Sequence, residues 1–263
     1  MGSNLGTVVV TGAAGRVGSA VRAGLRGEVE RLVLLDRVAL DARSPSEEVR
    51  RVDLRDAEAV TAALAGADAV VHLGGVPGEA PLPDLLDGNV LGTHNVLEGA
   101  RRQGVGRVLL ASSNRLTGFY PASQSITAEL PPRPDGLYGV SKVAVEALGR
   151  LYADKFGLSV VCLRIGSFED APSERRHLAT WLSPRDCLGY VRAALTAPGI
   201  RFTTIYAVSA NTRRFWDLEA GTALGYTPVD DAEAFAPGLP PEEDSPDLQS
   251  GVYASAEYTL RHL

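Results

Sequence analysis

The chain has 263 residues, 45% of them hydrophobic and 22% charged, with a net charge of −6 and a pI near 5.3. That is enough for one α/β unit with a small lobe, and the acidic balance argues against nucleic acid as a main partner. Cys162 and Cys187 are too few for a disulfide framework and fit a reducing cytoplasm; no apolar run approaches a membrane span, the N-terminus lacks a signal peptide's features, and the spacing of the four His suggests no metal site.

Val8-Val9-Val10 is an apolar β-branched run and reads as a buried strand. It leads into Thr11-Gly12-Ala13-Ala14-Gly15-Arg16-Val17-Gly18, after which Val17, Val21 and Leu25 share one helix face. A strand, a tight glycine turn and a helix N-terminus make a pyrophosphate site: the backbone approaches closely, and free N–H groups face the phosphates. A second strand, 31–35, ends on Asp36, placed to accept hydrogen bonds from the adenosine ribose hydroxyls. A strand at 68–73 runs into Gly74-Gly75, a long helix covers 82–103, and a strand at 106–111 runs into Ser112-Ser113-Asn114. A second long helix, 138–156, stops at Gly157, and a strand at 158–164 ends at Ile165-Gly166-Ser167. Beyond it, 169–174 reads as a loop, 184–197 as a helix, 202–207 as a strand, and 236–251 as a surface excursion or tail rich in Pro, Asp, Glu and Ser. The alternation predicts a Rossmann-type, doubly wound parallel sheet with helices on both faces. Residues 7–164 form mainly the cofactor-binding part, and 165–263 mainly a substrate lobe and tail.

The helix at 138–156 begins with Tyr138 and Lys142, four residues apart and therefore on one face. A free phenol ionises near pH 10, and a neighbouring ammonium favours the phenolate. The pair is a device for moving a proton on or off a hydroxyl.

With the glycine turn, Ser113 and the Tyr–Lys pair in hand, the chain resembles the extended short-chain dehydrogenase/reductase family, which includes the NAD-dependent epimerases and dehydratases. Asp53-Leu54 is similar to that family's adenine-contacting pair. The stretch from Gly88 through Asn89 to Glu98 is similar to its long helix, where the Asn side chain holds active-site backbone. A narrower resemblance is to the uronate dehydrogenases. It is carried by Val71-His72-Leu73-Gly74-Gly75, Ala111-Ser112-Ser113-Asn114, the run from Arg133 to Lys142, Leu163-Arg164-Ile165-Gly166-Ser167 and the run from Arg176 to Ser183. Pro77 and Arg115 stand where those enzymes have Ser and His.

The resemblance implies an NAD-dependent dehydrogenase that oxidises a uronic acid at C1 to an aldarolactone, in a homo-oligomer paired through the two long helices. It gives the catalytic roles to Ser113, Tyr138 and Lys142. Motifs and resemblance together assign cofactor contacts to Gly12, Ala14, Gly15, Arg16, Val17, Asp36, Arg37, Asp53, Leu54, Leu73, Gly74, Gly75, Asn89, Tyr138, Lys142 and Ile165. Substrate contacts fall to Gly75, Val76, Ser113, Asn114, Arg115, Tyr138, Ser167 and Arg176. Arg176 is the candidate for the substrate carboxylate, since a guanidinium fork matches it bidentately; the other reading of Glu174-Arg175-Arg176 is a solvated charge run on a loop. Arg115 reads either as a second such ligand or as a side chain pointing into solvent. Trp181 reads as a pocket shield or plain core, and His72 as a core group. Competing readings are a sugar epimerase or dehydratase with tightly held NAD, another aldose dehydrogenase, or a nucleotide-sensing protein without turnover. Asn114-Arg115 offers no carboxylate for a dehydratase, and a sensor would often lack the Tyr or the Lys.

Overall fold

The computed structural model describes residues 5–241 and 246–263. The strands are β1 Leu5–Thr11, β2 Val29–Asp36, β3 Glu47–Arg51, β4 Ala69–His72, β5 Arg107–Ser113, β6 Ser159–Ile165, β7 Ser167–Phe168, β8 Trp181–Leu182 and β9 Phe202–Ala207. The helices are α1 Arg16–Leu25, α2 Ala57–Ala63, α3 Leu82–Leu85, α4 Gly92–Gln103, α5 Leu137–Phe156, α6 His177–Thr180, α7 Pro184–Thr196, α8 Glu219–Ala223 and α9 Ala256–Leu260. Seven strands make one parallel sheet in the order β3-β2-β1-β4-β5-β6-β9, while β7 and β8 pair separately.

The strands are apolar on both faces because both are covered. Val8 and Val10 point into one layer with Leu32, Leu34 and Val71, under Val21 and Leu25 of α1 and Tyr190 and Val191 of α7. Val9 points the other way with Val33 and Val70, under Val60 of α2, Val96 and Leu97 of α4 and Val145 of α5. After β3 the chain returns to lay β4 against β1, so the strand order reverses there. That reversal opens a crevice at the carboxyl ends of β1 and β4, where such sheets bind ligands.

The structure departs from the sequence reading at three points. The helix at 82–103 is interrupted: α3 passes into a π-helical stretch, Leu86–Leu91, before α4. Asn89 sits in this stretch, and its carboxamide bonds to Val76 and Ser141; π-bulges often mark such functional positions. Second, β3 and α2 had no sequence signal. Four of β3's five residues are charged, which hides a strand from any hydrophobic pattern, and α2 is short, capped by Asp56 accepting from Ala59 N at 3.0 Å. Third, the segment 236–251 is more than a surface tail. Residues 242–245 lie outside the described residues, but Gln249 and Ser250 are buried and Leu248 pairs with Pro121.

Candidate active site

The crevice is a cleft of about 900 Å³. The glycine turn and the start of α1 form its floor at one end. Gly12 adopts φ +66°, a left-handed conformation that glycine takes without strain, and a Cβ there would lie 2.7 Å from Gly74 N. The two turns therefore approach as closely as they do only because both lack side chains. α1 begins with no acidic residue in its first turn and no side-chain cap, which leaves its amide donors facing the cleft. Asp36, at the end of β2, accepts from Ala14 N at 2.9 Å and Val38 N at 2.9 Å. The second of these bonds holds the carboxylate at the rim. A glycine cradle, an open helix N-terminus and a carboxylate at the β2 tip fit a dinucleotide.

Gly12, Ala14, Gly15, Arg16, Val17, Asp36, Arg37, Asp53, Leu54, Leu73, Gly74, Gly75, Val76 and Ile165 all line this cleft, as do Ser113, Asn114, Arg115, Tyr138, Lys142, Ser167 and Arg176. Asn89 lies behind it. Its Oδ1 accepts from Val76 N at 2.7 Å, while its Nδ2 donates to Val76 O at 3.2 Å and Ser141 Oγ at 2.9 Å. It thereby ties the 74–77 turn to α5. Arg16 reaches across the mouth, donating to Phe168 O and pairing with Glu169.

Ser113 ends β5; Tyr138 and Lys142 lie in the first turns of α5, and all three side chains are buried. The Lys142 ammonium lies 5.6 Å from the Tyr138 ring centroid and donates to Ala111 O at 2.9 Å. Burial pulls the Lys142 pKa down to about 8. Burial also pushes the Tyr138 phenol above its ordinary range, against the opposing influence of Ser113 and the Arg115 cation. That direction is opposite to the one inferred from the Tyr–Lys spacing, because desolvation of the phenolate is the larger effect. His72 is a core group: it bonds Thr11 Oγ1 at 2.7 Å and Thr93 Oγ1 at 3.0 Å, and burial lowers its pKa to about 3. Trp181 is core as well, its Nε1 donating to Glu169 O at 2.8 Å.

Arg176 lines the same cleft as Tyr138. One of its terminal nitrogens donates to Ser167 Oγ at 3.1 Å, its guanidinium lies 4.9 Å from the Tyr253 ring centroid, and its buried Nε has no hydrogen-bond partner among the described residues. Burial holds its pKa below the usual range. A buried cation with an unmade hydrogen bond is costly unless an anion offsets its charge.

Arg115 is neither free nor solvent-facing. Its Nε donates to Asp135 Oδ1 at 2.9 Å, and its Nη2 lies 2.8 Å from Asp135 Oδ1 and 3.4 Å from Glu79 Oε2. Glu79 in turn accepts from Leu137 N at 2.7 Å and Tyr138 N at 3.3 Å, at the head of α5. Sequence reasoning missed Glu79, Asp135, Tyr253 and Tyr258. No spacing links an acid to a guanidinium 36 or 20 residues away, and the two tyrosines lie in a segment without periodicity.

The parallel sheet, the glycine cradle and the Ser–Tyr–Lys cluster define a dinucleotide-dependent enzyme of the doubly wound class. The chain belongs to the NAD dependent epimerase/dehydratase family, whose pattern matches residues 8–183. It is 42% identical to a uronate dehydrogenase of Agrobacterium fabrum over 228 residues, 87% of this chain and 86% of that one. It is 38% identical to a uronate dehydrogenase of Pseudomonas putida over 256 residues, 95% and 96% of the two. Among solved structures, a tyrosine-to-alanine variant of Agrobacterium tumefaciens uronate dehydrogenase in complex with NAD superimposes with a TM-score of 0.91 at 40% identity, covering 95% and 97% of the chains.

Proposed function

We propose that the protein oxidises C1 of a cyclic uronic acid with NAD+, giving an aldarolactone. The observation that carries this reading is Arg176: a buried guanidinium with an unmade hydrogen bond, in the same cleft as Tyr138 and next to Ser167. A carboxylate is the group that supplies both the counter-charge and the acceptor. The likeness to uronate dehydrogenases over most of the chain points the same way.

Tyr138 Oη takes the proton of the anomeric hydroxyl, and Ser113 Oγ holds the reacting oxygen against it. Lys142 keeps a positive charge beside the phenol and would reach the nicotinamide ribose. NAD+, when bound, supplies the hydride acceptor and a positive charge that favours the phenolate. Gly12, Gly15 and the α1 N-terminus hold the pyrophosphate, Asp36 the adenosine ribose, and Asp53 and Leu54 the adenine. Asn114 and Ser167 bind sugar hydroxyls. Residues 7–164 thus serve mainly the cofactor and 165–263 mainly the substrate, although β9 also completes the sheet.

Pairing through the α3–α4 run and α5 is the second part of the reading, supported by exposed Leu82, Leu86, Leu91, Val140, Leu151 and Phe156 on these helices. Two buried free cysteines suit a reducing cytoplasm. The test is NADH formation with a panel of uronates, neutral aldoses and nucleotide sugars. Turnover confined to nucleotide sugars, or to none of the panel, would refute the uronate reading.

A further inference from the structure

Residues 247–250 are pinned under the loop that follows Ser113. Ala122 N donates to Asp247 O at 3.3 Å, Gln249 N to Tyr120 O at 2.9 Å, and Ser250 N to Gly118 O at 3.2 Å. Ser250 Oγ donates to Asp135, the carboxylate that also holds Arg115. The chain then turns back across the cleft. Tyr253 and Tyr258 lie edge to face, with ring centroids 4.8 Å apart, and both line the cleft. The Arg115 guanidinium sits 4.6 Å from the Tyr253 centroid and 5.1 Å from that of Tyr258. Tyr253 is also 4.9 Å from Arg176, so one ring lies against both cations.

Two carboxylates, Asp135 and Glu79, already answer the charge of Arg115, whereas Arg176 makes no ion pair among the described residues. A substrate carboxylate at Arg115 would have to displace Asp135 from a buried pair. At Arg176 the described hydrogen-bond partner is the Ser167 hydroxyl, not a carboxylate. Arg115 also packs at 5.6 Å from the Tyr138 ring, and its carbonyl accepts from Asp135 N at 3.2 Å just before α5. Its side chain therefore links Asp135 and Glu79, at the head of α5, to the C-terminal segment, while its backbone N–H donates to Ser113 Oγ at 3.2 Å.

We propose that Arg115 is a positioning residue: it fastens the C-terminal segment 251–258 across the cleft so that Tyr253 forms the wall against which Arg176 receives the substrate. Its guanidinium plane can stack on aromatic rings while its edge is forked onto Asp135, a combination that lysine cannot reproduce. The segment is thus a specificity element for the sugar acid. The inference rests on the uronate reading for its kinetic arm and is independent of it for its structural arm.

The experiment compares wild type, Arg115→Lys, Tyr253→Ala, Tyr253→Phe and the Arg115→Lys/Tyr253→Ala double variant, with NADH binding as the check that each is folded. In the structural arm, backbone hydrogen exchange is followed in the NADH complex. Arg115→Lys should speed exchange in 251–258 at least about tenfold while leaving β1 unchanged. Unaltered exchange there would overturn the fastening. In the kinetic arm, Tyr253→Ala should raise KM for glucuronate or galacturonate at least about tenfold with KM for NAD+ unchanged, and Tyr253→Phe should recover most of that loss. In the Tyr253→Ala background, adding Arg115→Lys should change the uronate KM by less than about threefold, because the two act through one contact. Full additivity would make Arg115 a direct ligand and sink the proposal. If wild type turns over no uronate at all, the functional reading fails, and the exchange experiment still decides the fastening.

Discussion

To act as the proposed base, Tyr138 must give up a proton in a place that favours keeping it. Burial raises its pKa, and Ser113 and the Arg115 cation oppose that pressure without outweighing it. Tyr138→Phe removes the acceptor and leaves its N–H on Glu79 intact, so NADH affinity should hold while kcat falls at least about a hundredfold; near-normal turnover by the variant would remove Tyr138 from the base role. Arg176→Ala should cost roughly tenfold to a few hundredfold in kcat/KM for a uronate, the scale of a hydrogen bond to a charged group. Arg176→Lys should rescue only part, and NAD+ affinity should stay put. Equal damage to a uronate and a neutral aldose would place the carboxylate elsewhere. Asp36 projects from β2 with both oxygens already accepting amides, a poor neighbour for a 2′-phosphate. NAD+ should therefore be preferred over NADP+ by at least about tenfold in kcat/KM, and Asp36→Ser should narrow the gap; parity in the wild type would show that Arg37 or Arg16 compensates. The residues of the cofactor turn and the Tyr–Lys pair were legible because each lies in a local motif whose spacing is itself the mechanism. Arg115 was not, since its role depends on Glu79 and Asp135, which only folding brings to it.

α5 opens without help from its own sequence: Gly136 precedes it with no side-chain cap, and no acid occupies its first turn. Glu79 supplies the missing acceptor from a loop 58 and 59 residues away in sequence. A carboxylate at that end also meets the positive pole of the helix. Glu79→Gln keeps the size and loses the charge, leaving Arg115 with one carboxylate instead of two. We expect a loss of about 1–3 kcal/mol, seen as a Tm lowered by several degrees, and a reduced kcat because Tyr138 is the second residue of that helix. An unchanged Tm would mean that water replaces the cap. The long elements were readable from their apolar periods, and the strands at 202–207 and 158–164 fell within a residue of β9 and β6. The π-helical stretch was not, because Leu86-Asp87-Gly88-Asn89-Val90-Leu91 differs from α-helical sequence only in what Asn89 must reach.

At the scale of the whole molecule, β1, β4 and α4 are joined through His72, bonded to Thr11 and Thr93 and kept neutral by burial and the nearby Lys142 charge. Its folded pKa of about 3 lies below the unfolded value of about 6.5. The unfolded chain thus binds a proton that the native fold refuses, so stability is full above about pH 6.5 and falls as the pH drops toward 3. His177, also lowered by burial, acts in the same direction. The Glu47 carboxylate, held near 2 by Arg22, adds its loss only below about pH 4.5. Between pH 6.5 and 5 the wild type should lose Tm, and His72→Asn should flatten most of that slope while lowering Tm at pH 7.5. An unchanged slope would assign the effect to His177. The doubly wound topology was legible because strand and helix periods alternate. The return of 246–258 to the cleft was hidden by a composition that reads as solvent-facing.

The strand order has one more consequence. A parallel sheet of seven strands has two open flanks, and each is a template onto which a second molecule could add its own strand. On one flank, β3 presents Glu48, Arg50 and Arg51 to its surroundings and turns Glu47 inward onto Arg22. On the other, α8 packs against β9. Charge guards the β3 side, so association between copies is steered away from edge-to-edge pairing of sheets on that flank.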